Sequence, residues 1–254
     1  MEEGLLTLGV DTSTERRSVV LLRGGRVLAG SESELREGGS AGLLADVDRA
    51  LRSAGVGLGE VGLFAAAVGP GSFTGLRSGL ATVKGLALTL SRPAVGVPTL
   101  HAVAYLARPA RRLVALIPAG RGEVFAQMLA VSGDGLVEEL EAPEHLPPAR
   151  LLEKVSRLGG GVKWAGGGAS KSGGLIRGAA EAAGLRFAEA AAAGADAGAG
   201  EWLLARDAGA LAWGVAELAR ARFGGGGAWG ADALGAIYVR PSDAELKGQW
   251  HAQG

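Results

Sequence analysis

The sequence contains one pattern twice: an apolar run of strand length, a short turn of polar residues or glycine, and a second apolar run. The first copy, "LLTLGVDTSTERRSVVLL", begins at Leu5, and the second, "LVALIPAGRGEVFAQMLA", begins at Leu113. Two such runs joined by a turn predict a β-hairpin, and the recurrence of the pattern indicates an internal duplication. This repeat constrains the fold most, because it requires two halves that are built alike.

The chain of 254 residues is long enough for two lobes of about 100 residues or more each. In the first half the order is three strands, a helix, a strand, a helix, a strand and a helix, with the first two helices at about 40–54 and 74–90. The second half adds a helix at about 147–158, a strand at 162–165 and a long helix at about 203–222.

This order predicts an α/β fold with two domains. The N-terminal lobe covers residues 1–104, and a smaller, partly degenerate C-terminal lobe covers residues 105–254. We expect the last helix to pack back on the first lobe.

Charge and composition exclude several classes of function. The 26 basic and 26 acidic residues cancel, so no protein-wide field draws the chain to nucleic acid or an anionic membrane. The absence of cysteine excludes disulfides, thiolate metal sites and cysteine nucleophiles. The N-terminus reaches Asp11 too early for a secretory signal, and no apolar run approaches the roughly 20 residues that span a bilayer. We therefore expect a soluble, cytoplasmic protein.

The segment "VGPGSFTGLRSGLATVKGLALTL", from Val68 to Leu90, has many glycines at the start and in the body of a predicted helix. It matches neither the P-loop, which needs a lysine after its second glycine, nor the dinucleotide fingerprint, whose third glycine is displaced to Gly75. Gly75 and Gly79 lie one turn apart, and each costs up to about 1 kcal/mol relative to alanine in a helix. Close packing of another element would offset this cost. The alternatives are an anion at the helix N-terminus, packing inside the lobe, and packing against a partner.

Five stretches carry a resemblance to a known family: "LGVDTSTERRSVVLL", "GPGSFTGLRSGLATVKGLAL", "GVPTLHAVA", "GRGEVF" and "IYVRPSDAE". In this order they resemble the TsaB family, also called YeaZ, the non-catalytic partner in bacterial threonylcarbamoyladenosine modification of tRNA. The resemblance implies the two-lobed fold of actin, Hsp70 chaperones and sugar kinases, which is a duplicated ribonuclease H-like fold. It also implies that the chain has no catalytic residues.

The resemblance further implies that this protein assembles with a catalytic TsaD-like transferase, in a larger complex with a TsaE-like ATPase, and forms a homodimer when alone. ATP and a metal ion are then bound by partner subunits, and tRNA is reached only through the complex. The two N-lobe helices are expected to pack against their counterparts in the transferase. The predicted interface residues are Leu43, Leu44, Val47, Leu51, Gly75, Leu76, Gly79 and Val83.

Asp11-Thr12-Ser13-Thr14 occupies the place of the phosphate-binding loop of the nucleotide-hydrolysing relatives. Ser13 stands where glycine would let the backbone approach phosphate, so the resemblance implies a degenerate loop. Ala119 stands where the second half of such enzymes offers an acid. One alternative is nevertheless a weak ATPase or phosphotransferase that uses Asp11, Thr12 and Thr14.

A second alternative is a glycoprotease-like metallopeptidase, which needs a metal site. The histidines, His101, His145 and His251, are scattered and lack the spacing of a metal-binding pair. Among the basic residues, Arg77, Lys84 and Arg121 are compatible with a strip near tRNA or with solvated surface, and Arg240 with an ion pair or an interface; the sequence leaves both open.

Overall fold

The structure is a computed structural model that describes residues 4–34, 39–190, 194–226 and 230–239. Its first sheet has the strand order β3-β2-β1-β4-β5, in which β1, β2 and β3 are antiparallel and β1, β4 and β5 are parallel. The strands are β1 (Leu6–Asp11), β2 (Arg16–Arg23), β3 (Arg26–Glu34), β4 (Leu63–Gly69) and β5 (Ala94–Pro98).

The second sheet repeats this plan. An antiparallel unit of β6, β7 and β8 lies beside the parallel strands β10, β12 and β11, and β9 also pairs with β7. The strands are β6 (Ala110–Gly120), β7 (Glu123–Val131), β8 (Val137–Glu139), β9 (Glu144–Leu146), β10 (Val162–Ala165), β11 (Arg186–Glu189) and β12 (Glu201–Leu204). The shared plan confirms the predicted duplication and the two-sheet α/β fold.

Seven described helices cover the faces of the two sheets. They are α1 (Gly39–Ala54), α2 (Phe73–Thr89), α3 (Thr99–Leu106), α4 (Pro148–Ser156), α5 (Gly167–Lys171), α6 (Gly173–Ala182) and α7 (Ala212–Gly224). The pair α1 and α2 packs on one face of the first sheet, while α3 and α7 lie between the two sheets. The remaining three helices cover the far face of the second sheet. The first two helices therefore form an outer layer of the molecule.

The last long helix starts later than predicted. We expected it at about 203–222, but residues 201–204 form β12 and α7 begins at Ala212. The reason is that Trp202 is fully buried in the second core beside Trp164, with ring centroids 5.0 Å apart, so this short apolar run pairs as a strand. Helix α7 packs against the first sheet, where Ala212 and Ala216 contact Val20 and Leu22.

The junction of the two halves lies at α3. The boundary predicted after residue 104 falls inside this helix, in which Ala102 packs with the first sheet and Leu100 and Val103 pack with the second. The helix therefore belongs to the cores of both lobes.

The segment of residues 230–239 returns to the first lobe. Ala231 and Leu234 are buried against α2 and the first sheet, and the backbone N–H of Ile237 donates to the carbonyl oxygen of Val68 at 2.6 Å. The stretch "IYVRPSDAE" lies outside the described residues from Arg240 onwards, as does His251. Within the described ranges, no helix combines the length and apolar character that crossing a membrane requires.

Candidate docking surface

Most of the predicted interface residues are buried in the first lobe, which corrects the prediction. Only Leu44 is exposed, at 49% of its surface, because α1 and α2 both turn their apolar stripes onto the sheet, where Leu8 and Phe64 are fully buried. The buried members, which belong to the core of this lobe, are Leu43, Val47, Leu51, Gly75, Leu76, Gly79 and Val83.

Gly75 and Gly79 of α2 both contact the hairpin loop inside the lobe. The hydroxyl of Thr12 donates a hydrogen bond of 2.8 Å to the carbonyl oxygen of Gly75. A Cβ atom at Gly79 would overlap Oγ1 of the same threonine. The missing side chain of Gly79 therefore lets the hairpin loop between β1 and β2 rest on α2. The prediction that these glycines pack against a partner is wrong.

The predicted degenerate phosphate loop is closed by its own lobe. The backbone N–H and the hydroxyl of Ser13 donate to Oδ1 of Asp11 at 3.0 and 2.5 Å, and the N–H of Ser72 donates to the carbonyl oxygen of Ser13 at 2.7 Å. Thr14, at the half-buried end of the loop, donates to the carbonyl oxygen of Arg16 at 3.0 Å.

The electrostatics of this loop follow from its burial. Asp11 is 1% exposed. The pKa of its carboxyl group is raised from 3.8 to about 6, chiefly by burial and to a lesser extent by the charge of Glu32, against the hydrogen bonds from Ser13 that lower it. A phosphotransferase would need these groups to face a phosphate, whereas here Asp11, Thr12 and Ser13 bind one another and α2.

One stripe along the outer face of α2 consists mainly of small residues. We call it the outer stripe: Thr74, Ser78, Ala81, Gly85 and Leu88, which follow one another at steps of four, three, four and three. Its last member is 55% exposed, and a Cβ atom at Gly85 would meet no atom within 4 Å. The stripe is therefore open to a neighbour outside the lobe.

Threonines beside the outer stripe add little polarity to it. Thr82 donates from its hydroxyl to the carbonyl oxygen of Ser78 at 2.9 Å, and Thr89 donates to that of Gly85 at 2.8 Å. Because the helix backbone already accepts these protons, binding a neighbour does not require the hydroxyl groups to lose bonds to water. With Leu44 of α1, this face offers a shallow surface of low polarity.

An aromatic cluster lies at the N-terminal end of this face. The guanidinium carbon of Arg77 lies 3.9 Å from the ring centroid of Phe73, whose own centroid is 5.4 Å from that of Tyr238. Nε of Arg77 lies 3.5 Å from the hydroxyl oxygen of Tyr238. One local signal in the sequence indicates part of this cluster, a phenylalanine four residues before an arginine in a predicted helix, whereas the tyrosine is 161 positions away from the arginine.

The two described histidines lie apart from this surface. Nε2 of His101 lies 2.9 Å from Oε1 of Glu139, and Nε2 of His145 lies 2.9 Å from Oε2 of Glu123. Within the described part of the chain, no group of three or more histidine, aspartate or glutamate side chains is close enough to hold a metal ion. A metallopeptidase would need such a group.

Comparison with known proteins identifies relatives in both sequence and structure. The family model "TsaD: tRNA N6-adenosine threonylcarbamoyltransferase" matches residues 40–162. The "tRNA threonylcarbamoyladenosine biosynthesis protein TsaB" of Escherichia coli K12 is 35% identical over 156 residues, which span 60% of this chain and 67% of that protein.

Solved structures extend the likeness to nearly the whole chain. YeaZ from Pseudomonas aeruginosa is 26% identical with a TM-score of 0.67, over 92% of this chain and 99% of that one. The ROK hexokinase from Thermus thermophilus matches with a TM-score of 0.51 at 16% identity, over 87% of this chain and all of that one, which shows a shared fold alone.

Proposed function

Because the chain belongs to the TsaB family, also called YeaZ, we propose that it is an assembly subunit in the biosynthesis of threonylcarbamoyladenosine in tRNA. In this role it docks onto a transferase subunit of the TsaD type and carries no catalytic residues itself. It acts in the cytoplasm and reaches tRNA only through the complex.

The outer stripe is the observation that carries this proposal. The small side chains in the middle of this stripe, those of Ser78, Ala81 and Gly85, let the axis of a second helix approach closely, since interaxial distance depends on the side chains at the contact. Leu88, at the end of the stripe, and Leu44, exposed on the neighbouring helix α1, lose contact with water when this surface is covered. The corrected docking surface is therefore the outer stripe together with Leu44.

The comparisons support a transferase as the occupant. The transferase family model matches the segment that contains α1 and α2, so a TsaD-like protein has counterparts of both helices. Two related helix pairs can meet face to face about an approximate twofold axis, as two identical patches do in a homodimer. The same reasoning leads us to propose a homodimer of this chain when the transferase is absent.

The closed hairpin loop supports the assignment of ATP and metal ion to partner subunits. Asp11 and Ser13 bind each other in the interior, and Thr12 is bound to α2. We therefore expect nucleotide to bind to the transferase and to a TsaE-like ATPase that completes the complex.

The test is size-exclusion chromatography with light scattering on the chain alone and mixed with the transferase of the same organism. Gly85→Arg is the test variant, because a Cβ atom at Gly85 meets no atom within 4 Å and a long charged side chain there blocks the approach of a helix. Leu175→Arg in α6 is the matched control, since that leucine is 59% exposed on the other lobe.

We expect wild type and Leu175→Arg to self-associate and to form a one-to-one complex on mixing. Gly85→Arg should remain monomeric under both conditions with an unchanged melting temperature. A wild-type chain that does not bind the transferase refutes the proposed function. Undiminished binding by a folded Gly85→Arg chain removes the outer stripe from the interface.

A further inference from the structure

We propose that Arg77 is the anchor of the docking surface and that its guanidinium group binds a carboxylate of the transferase subunit. The inference rests on the proposed function and identifies the residue that would set specificity at this surface. It follows from the packing of the arginine, from its charge environment and from its place beside the outer stripe.

Arg77 is already held in place in the free chain. Its guanidinium lies 3.9 Å above the Phe73 ring, and its Nε lies 3.5 Å from the Tyr238 hydroxyl. An arginine on a mobile side chain loses rotamer entropy when it is fixed, and a stacked one has lost part of this entropy beforehand. Contact through the face of the guanidinium leaves N–H groups at its edge for a carboxylate.

Arg77 differs from the exposed arginines of α1, because those arginines have carboxylate partners and Arg77 has none among the described residues. Arg49 and Arg52, both exposed on α1, pair with Asp46 and Asp48 at 2.8 and 3.0 Å. For Arg77, by contrast, no carboxylate of residues 4–34, 39–190, 194–226 or 230–239 lies within 4 Å. An exposed, stacked cation with no carboxylate partner among the described residues, beside an apolar strip, suits a carboxylate supplied by the transferase.

The position favours a protein carboxylate over a phosphate of tRNA. Arg77 precedes Ser78 of the outer stripe and lies one turn from Ala81, so a helix seated on the stripe covers it. Binding to a nucleic-acid backbone relies on several cations along a track, and Lys84, the other basic residue of α2, is half-buried. A single stacked arginine at the edge of an apolar contact resembles the hot spots of protein interfaces.

The experiment measures the affinity of the chain for the transferase by isothermal titration calorimetry at two salt concentrations. Arg77→Gln removes the charge, and Arg77→Lys keeps the charge but loses the paired N–H donors of the guanidinium group. Tyr238→Phe removes the hydroxyl group that contacts Arg77. Arg177→Gln is the matched control, because Arg177 is also exposed and lies 5.0 Å over a ring, that of Phe187, but on the second lobe.

We expect Arg77→Gln to weaken binding by at least about tenfold and to flatten its salt dependence. Arg77→Lys should keep the salt dependence with a loss of several-fold, Tyr238→Phe should lose a few-fold, and Arg177→Gln should match wild type.

Three outcomes overturn the inference. Unchanged transferase affinity of Arg77→Gln refutes it while the proposed function stands, and if tRNA then binds the complex less tightly, the ligand is a phosphate. A lower melting temperature of the free Arg77→Gln chain, with affinity restored at low temperature, assigns the arginine a partner inside the chain. A wild-type chain that does not bind the transferase refutes the proposed function as well.

Discussion

The hydroxyl of Thr12 donates to the carbonyl oxygen of Gly75, which fastens the tip of the first hairpin to the first turn of α2. In an enzyme of the sugar-kinase fold, a hairpin tip at this place faces the phosphates of a nucleotide. Here the same tip supports the helix whose opposite face we propose as the docking surface. The loop has thus become part of the packing that holds that helix.

The first prediction separates two glycines of α2 that look alike in the sequence. Gly79→Ala places a methyl group against Oγ1 of Thr12 and should lower the free energy of unfolding by about 1–3 kcal/mol. Gly85→Ala meets no atom within 4 Å and should raise it by up to about 1 kcal/mol. Urea denaturation of both variants measures this difference, and equal shifts of the same sign would contradict it.

The second prediction concerns the buried carboxyl of Asp11. Its pKa is about 6 in the folded chain and 3.8 ordinarily, so the native state binds more protons than the unfolded state between these values. The stability of wild type should therefore fall as pH rises from about 4 to about 6. Asp11→Asn should remove this fall, which amounts to a gain on the order of 3 kcal/mol relative to wild type at neutral pH.

Urea denaturation between pH 4 and pH 8 tests the Asp11 prediction. The control is Asp48→Asn on the exposed side of α1, which should keep the wild-type profile. Parallel profiles for wild type and Asp11→Asn would show that this carboxyl does not titrate as inferred.

The third prediction concerns the ion pair that ties α1 to the sheet. Nε of Arg17 lies 2.6 Å from Oδ2 of Asp46, and both side chains are almost fully buried. Arg17→Met leaves the carboxylate without its main partner and should cost about 3–5 kcal/mol. Arg52→Met, which breaks the exposed pair with Asp48, should cost no more than about 1 kcal/mol. Thermal unfolding of the two variants supplies the comparison.

The same pair should also shape acid stability. Burial alone would raise the pKa of Asp46, but hydrogen bonds from Arg17 and Ser33 and the charges of Arg17 and Arg49 hold it below its usual value. The stability that this carboxylate provides is present above pH 3.8 and is lost as pH falls through the lower folded value. A wild-type chain that loses no more stability in this range than Asp46→Asn would contradict the expectation.

The fourth prediction fixes the protonation state of His101. Burial lowers the pKa of its imidazole, as does Arg222, against Glu139, which raises it. Nδ1 lies 3.4 Å from the guanidinium of Arg222, which can only donate, so the neutral ring should carry its proton on Nε2, towards Glu139. Nitrogen-15 NMR at pH 7 should show this tautomer. A ring that titrates at or above 6.5 would refute the lowered pKa.

Periodicity was enough to predict the first sheet and the outer helices. The apolar stripe through Leu76, Leu80 and Val83 recurs at helical spacing, and α2 follows it with Ser72 as its N-cap, whose hydroxyl accepts from the N–H of Gly75 at 3.2 Å. The helix predicted at about 203–222 was wrong at its start, because the short apolar run at 201–204 is compatible with both helix and strand. The pairing of this run with β10 and β11 determines that it forms the strand β12.

The docking surface that we propose lies on the two helices predicted from the sequence but uses the opposite face of them. The periodicity of apolar residues identifies the apolar stripe of a helix. In a helix pair that packs on one face of a sheet, this stripe belongs to the core, as Val47 and Leu76 do. The outer stripe consists of residues such as Ala81 and Gly85, which sequence patterns assign to no particular role. The contact of Thr12 with α2 joins positions 63 apart, and nothing local in the sequence indicates it.

The placement of α7 has a consequence for synthesis of the chain. The backbone N–H of Ala212 donates to the hydroxyl oxygen of Ser18 across 194 positions, and α7 covers the inner face of the first sheet. A ribosome that has made only the first half has therefore produced a sheet with one face still bare. Burial of that face waits until the last helix leaves the exit tunnel, so the two lobes complete their folding together rather than in sequence.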